Sequence, residues 1–99
     1  MFEVLTPLGA KVSVTLRYWE YIIRVKHPVM KGKEEQVKEV LISPEEVRRS
    51  RIDEEVFLYY KTIDRLYCVV VKHNDEGFVI TCYPTEKRKE GETIWKKSW

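Results

Sequence analysis

The sequence predicts an α+β fold in which two to three N-terminal helices pack on one face of an antiparallel β-sheet. Three observations lead there. A short alternating hairpin opens the chain. Helical spacing of apolar residues then runs from Leu16 to about Arg51, broken by Pro and Gly. After that come three segments rich in Val, Ile, Phe and Tyr, joined by short turns. Ninety-nine residues are enough for one core, so residues 1–99 read as a single domain.

Each element has its own local reason. "FEVLT" and "KVSVT" alternate on either side of "PLGA", whose Pro and Gly suit a turn. "LRYWEYIIRVK" follows Thr15, an N-cap residue type. Leu16, Trp19 and Ile23 form one row at helical spacing, and Tyr18, Ile22 and Val25 a neighbouring row. So wide an apolar arc predicts a helix lying deep against the sheet. Pro28 disfavours helical geometry at His27 and ends the helix there, where the negative dipole end favours a protonated imidazole. "KEEQVKEVLI" gives a second short helix through Val37, Val40 and Leu41. "SPEEVRRSR" offers Ser43 as N-cap, Pro44 at the first position and Glu46 completing a capping box. It predicts a third short helix with Arg48 and Arg49 at its C-terminal end.

"EVFLYYKT", "RLYCVVVKH" and "GFVITCYP" read as an antiparallel meander turning at "TIDR" and "HNDEG". A second turn centred on Asp75 sets Cys68 opposite Cys82, and a first turn centred between Ile63 and Asp64 sets Tyr60 opposite Tyr67. In that register Phe57, Tyr59, Leu66, Cys68, Val70, Phe78, Ile80 and Cys82 share the core face under the helices. Leu58, Tyr60, Tyr67, Val69, Val71, Thr81 and Tyr83 share the other. Tyrosines and a threonine on the less apolar face could stack bases and hydrogen-bond phosphates. They are also ordinary strand residues with a wet hydroxyl end.

Charge is plentiful but balanced, 18 Lys and Arg against 16 Asp and Glu, so a net +2 does not argue for nucleic acid. The local distribution is uneven. Arg17, Arg24, Lys26, Lys31 and Lys33 face Glu20 alone, and Arg48, Arg49 and Arg51 form a second knot ahead of Asp53-Glu54-Glu55. Such clusters are either solvated surface or a phosphate-facing patch. Asn74 and Gln36 are the only amide side chains, a composition that suits a hot environment. No stretch reaches the ~18 apolar residues of a membrane span, and no signal peptide is visible, so a cytoplasmic protein without membrane contact is expected. Cys68 and Cys82 make neither a disulfide framework nor a zinc site, and no phosphate-loop or dinucleotide fingerprint is present. No metal or cofactor is expected.

Nucleophilic hydrolysis lacks a serine signature. What remains is His27, Arg51, Tyr60, Lys72, Thr81 and Tyr83, with basic neighbours such as Lys26 and Arg49. That set suits metal-independent RNA cleavage. A base takes the 2′-hydroxyl proton, cations and hydroxyls stabilise the pentacoordinate phosphate, and an acid protonates the leaving oxygen. His27 could equally cap free helix carbonyls, Arg51 could pair with Asp53 or Glu54, and His73 falls at a turn.

"WEYIIRVKHP", "SPEEVRRSR", "YYK", "VVVK" and "VITCYPT" together resemble the small phage- and toxin-associated nucleases of the Barnase–EndoU–colicin–RelE-like superfamily, over roughly residues 12–95. The resemblance implies helices on an antiparallel sheet and an endoribonuclease that works through a cyclic phosphate. It implies His27 as acid–base residue, Arg51 on the scissile phosphate, Thr81 and Tyr60 lining the site, and Lys72 and Tyr83 on substrate. RNA would be the substrate and an antitoxin protein a partner. A non-catalytic RNA- or protein-binding module using the tyrosine face is the alternative. A third reading takes "EKRKEGETIWKKSW" as a docking tail anchored by Trp95 and Trp99, or else has Trp95 packing back onto the sheet.

Overall fold

The structure is a computed structural model that describes residues 1–74, 76–88 and 91–98. Strands are β1 (Phe2–Leu5), β2 (Lys11–Val14), β3 (Glu46–Arg49), β4 (Val56–Thr62), β5 (Leu66–His73), β6 (Gly77–Pro84) and β7 (Glu92–Lys96). Helices are α1 (Leu16–Tyr21), which widens into a π-helical stretch Ile22–Lys26, and α2 (Glu34–Ile42), with a 3-10 turn at Pro28–Met30 between them. The sheet is seven-stranded and mixed, in the order β1-β2-β6-β5-β4-β3-β7. β2 and β6 run parallel, while every other neighbouring pair is antiparallel.

This corrects the expected class. Of the described residues 42% are strand and 24% helix, so the fold is mostly sheet and is not built of two or three helices on an antiparallel sheet. The third helix does not exist. Despite its capping-box sequence, Glu46–Arg49 is an inner strand, hydrogen-bonded to β4 on one side and β7 on the other. A four-residue helix is marginal by itself. Two ladders and the complete burial of Val47 outweigh that local preference. Ser43 instead closes α2. The parallel contact arises because β2 lies beside the start of β6, Val12 against Gly77 and Ser13 against Phe78. Gly77 is suited to that approach, since a Cβ there would meet the Lys11 carbonyl at 2.7 Å.

Helix α1 begins where its cap predicts, with the Tyr18 amide donating to Thr15 Oγ1 at 3.1 Å. It does not lie deep along its whole arc. Trp19 and Ile22 are buried, but Leu16 and Val25 stay 59% and 63% exposed. The π-helical stretch adds a residue to the turn, with the His27 amide donating to Ile22 O, and so rotates the following side chains. α2 buries Val37, Val40 and Leu41 against the sheet.

The register also differs. Cys68 lies opposite Tyr83, Val69 opposite Cys82, and Tyr60 opposite Cys68. Near the second turn His73 pairs with Gly77, as a hairpin centred on residue 75 requires, although Asp75 itself lies outside the described residues. Pairing then slips between Val70 and Val71, where Ile80 has no cross-strand partner. That bulge moves β5 by one residue relative to the C-terminal half of β6. The core under α2 therefore holds Tyr59, Tyr67, Val69, Val71 and Cys82, while Leu58, Tyr60 and Cys68 form a second cluster on the opposite face. The expected tyrosine surface is absent: Tyr60 and Tyr67 are each 1% exposed and belong to different clusters.

The second face is closed by the connection from β6 to β7. β6 ends at Pro84 beside Tyr67, and β7 starts at Glu92 beside Arg49, so the chain crosses three strands. Arg88 fastens it, its guanidinium on Glu45 and on Glu46 at 3.2 Å, while Arg48 donates to the Arg88 carbonyl. Thr93 and Arg48 also donate to the buried Glu46. Burial pushes the Glu46 carboxyl up, but these three donors outweigh it and hold it below the usual range. In the C-terminal segment Trp95 packs back onto the core from β7, and Trp99 lies outside the described residues. No helix among the described residues is long and apolar enough to cross a membrane.

Leu41→Ala should cost about 2–5 kcal/mol in urea unfolding, because Leu41 is fully buried. Leu16→Ala, on the exposed side of α1, should stay within about 0.5 kcal/mol of wild type.

Candidate functional site

From Val79 onward the outer side of β6 has no strand beside it, because β2 pairs only as far as Phe78. The π-helical stretch and the turn after it pack there instead. An uncovered strand edge is costly when buried. Here its key acceptor is the carbonyl of the bulged residue Ile80. It takes a hydrogen bond from Tyr18 Oη at 2.8 Å and another from Lys26 Nζ at 3.1 Å. Lys26 Nζ also donates to Tyr18 Oη at 3.1 Å and sits 5.5 Å from the ring centres of both Tyr18 and Tyr21. An ammonium has three donors, so one N–H of Lys26 is left for a ligand.

Fixing Lys26 fixes its neighbour. The His27 ring lies 5.2 Å from the Tyr83 ring, tilted by 41°. Both are half-buried. Two residues before Tyr83, the Thr81 hydroxyl is buried and has no hydrogen-bond partner among the described residues. A helix C-terminus was expected to favour protonated His27, but the opposite holds. Desolvation, followed by the positive charge of Lys26, lowers its pKa below the ordinary value. The imidazole is therefore neutral near pH 7 and able to accept a proton.

From the expected set the structure brings His27 and Lys26 together with Tyr83, while Thr81, two residues before Tyr83 on the same strand, keeps its hydroxyl buried. Tyr60 lies inward of them, across β5, with the Arg48 guanidinium 5.8 Å from its ring centre. Arg51, Arg49 and Lys72 are placed elsewhere. Arg49 pairs with Phe57, Phe57 with Val71, and Val71 with Val79, which marks the end of the sheet away from Tyr83. Arg51 is exposed in the loop beyond that end and has no ion pair with Asp53 or Glu54 among the described residues. Asp53 is taken by Lys72 at 2.7 Å, with Glu55 adding a second contact at 3.4 Å. Tyr18 and the Ile80 carbonyl were missed, because no residue type announces a bulge or the carbonyl it turns outward. Among the described residues no cluster of three or more His, Cys, Asp or Glu could hold a metal.

No family model matches this chain, and neither the curated proteins nor the solved structures contain a significant match to it. Its chemistry has to be read from these side chains.

Two outcomes check the geometry. Tyr18→Phe should cost about 0.5–1.5 kcal/mol in thermal or urea unfolding, since it takes one hydroxyl donor from the Ile80 carbonyl. The His27 imidazole should titrate below about 6.5 by NMR, and Lys26→Gln should raise its midpoint. With the folded value lowered, the unfolded chain binds the proton first as pH falls. Stability should therefore drop from the ordinary histidine value down to the folded one, and His27→Gln should flatten that slope.

Proposed function

We propose that the chain is a metal-independent endoribonuclease whose reaction centre is the β6 edge around His27. The observation that carries this reading is His27 itself: a half-buried imidazole kept neutral against Tyr83, with an ammonium donor fixed next to it. The resemblance of its short motifs to the Barnase–EndoU–colicin–RelE-like nucleases points to the same chemistry. His27 removes the 2′-hydroxyl proton of RNA, the 2′-oxygen attacks phosphorus, and the P–O5′ bond breaks as the 2′,3′-cyclic phosphate forms; the 5′-oxygen takes its proton from water and His27 releases the one it accepted to solvent. The remaining N–H of Lys26 donates to a non-bridging oxygen as charge builds. Tyr83 offers a ring on which a base can stack. Arg51, Arg49 and Lys72 take no part in this step, because they lie at the other end of the sheet. In a toxin setting an antitoxin protein would cover the same edge, and the exposed Tyr21, Val25 and Val29 of this segment would give it an apolar hold.

Incubation with total RNA in excess chelator should give fragments ending in cyclic phosphate. His27→Ala should reduce the rate by about a hundredfold or more. The cleavage rate should rise with pH through a midpoint below the ordinary histidine value. Intact RNA after incubation with wild-type protein would overturn the proposal, and salt-sensitive RNA binding without cleavage would favour a binding module.

A further inference from the structure

The opposite end of the sheet carries a second site. A cleft of about 250 Å³ opens there between the tip of the β1–β2 hairpin and the strands, with Leu8, Ala10, Phe57 and Ile94 as apolar walls. Arg49 and His73 stand on the same cleft. The tip is held over the sheet by a buried hydrogen bond from Tyr59 Oη to Thr6 Oγ1 at 3.0 Å, so the roof is fixed. Ile94 is turned towards the cleft where β7 skips a residue against Val47 and Arg48.

The polar groups are arranged around one ring. The Arg49 guanidinium lies 5.5 Å from the centre of Phe57, and His73 meets the same ring edge-on at 5.8 Å. Arg49 is exposed and makes no ion pair or hydrogen bond with its side chain among the described residues. It is a fork of donors positioned on the Phe57 ring. His73 also lines an adjoining cleft of about 480 Å³ that contains Lys11 and Ser13 together with Glu3 and Glu76. Those two carboxylates oppose further negative charge on that side.

We infer that the Arg49–His73 cleft binds a phosphate monoester carried on a flat, ring-sized apolar body, the chemistry of a nucleotide. The phosphate sits in the Arg49 fork and takes a further hydrogen bond from His73. The ring enters between Leu8, Ala10 and Ile94. Glu3 and Glu76 make the site select a monophosphate over a triphosphate. This does not rest on RNA cleavage, because none of these residues belongs to the His27 edge.

Calorimetric titration with adenosine monophosphate tests it, alongside adenosine, inorganic phosphate, adenosine triphosphate and a 5′-phosphorylated DNA trinucleotide that lacks any 2′-hydroxyl to cleave. The monophosphate should bind saturably, with adenosine, phosphate and the triphosphate each weaker by about tenfold or more. Arg49→Gln, an exposed change that the fold tolerates, should weaken it about tenfold, and His73→Gln by a smaller factor. Arg49-dependent binding of the trinucleotide alone would also support the site and assign it to strand ends. No saturable binding of either probe up to about 10 mM would overturn the inference. So would binding that survives Arg49→Gln and disappears in His27→Ala.

Discussion

Between Val79 and Thr81, β6 carries one residue more than the strand it pairs with, and the carbonyl of that residue is where the helical arm is fastened. A bulged carbonyl facing away from the ladder would be left without its partner on burial, at a cost of about 1–3 kcal/mol. Tyr18 and Lys26 remove that cost together. Their spacing of eight residues is bridged because the helix widens into a π turn after Tyr21. The same bonds fix the direction in which the chain leaves the helix, and so bring His27 against Tyr83. A regular strand would turn this carbonyl differently, and the imidazole would lose its place.

Both faces of the sheet are occupied. One carries α2 and the core of Tyr59, Tyr67, Val69 and Val71, and the other is crossed by the Arg88 connection locked to Glu45 and Glu46. Chemistry is left to the perimeter. Its polar side chains divide into two groups, His27 with Lys26 on the free edge of β6, and Arg49 with His73 at the far strand ends. His27 and Arg51 stand at opposite ends of the sheet, with the Val70 and Leu58 rows between them.

Much of this was legible in the residues and some was not. Alternation and turn chemistry marked the hairpin, and β-branched runs marked β4, β5 and β6. Thr15 announced the start of α1, and Pro28 its end. β3 was hidden because its capping-box residues carry a real local preference, and only pairing on both sides overrules it. β7 was hidden inside a charged segment whose Arg88 and Thr93 prove to be partners of a buried carboxylate. Turn centring gave the right pairing next to Gly77. It failed beyond Ile80, where the bulge shifts β6 by one residue against β5, and at the first turn, where Thr62 pairs with Leu66 so that the hairpin centres on Asp64; together these put Tyr67, Val69 and Val71, not Cys68 and Val70, in the core beside Tyr59 and Cys82. His27, Lys26, Thr81 and Tyr83 could be picked out by residue type, but their separation from Arg51 and Lys72 depends on topology.

The placement of His27 therefore depends on the Ile80 bulge. Cross-strand NOEs in an isotope-labelled sample test it most directly. Backbone contacts should pair Val70 with Thr81 and Val71 with Val79, skip Ile80, and set Cys68 opposite Tyr83. A continuous ladder that pairs Val70 with Ile80 and Cys68 with Cys82 would contradict it, and the anchoring of the His27 segment would go with it.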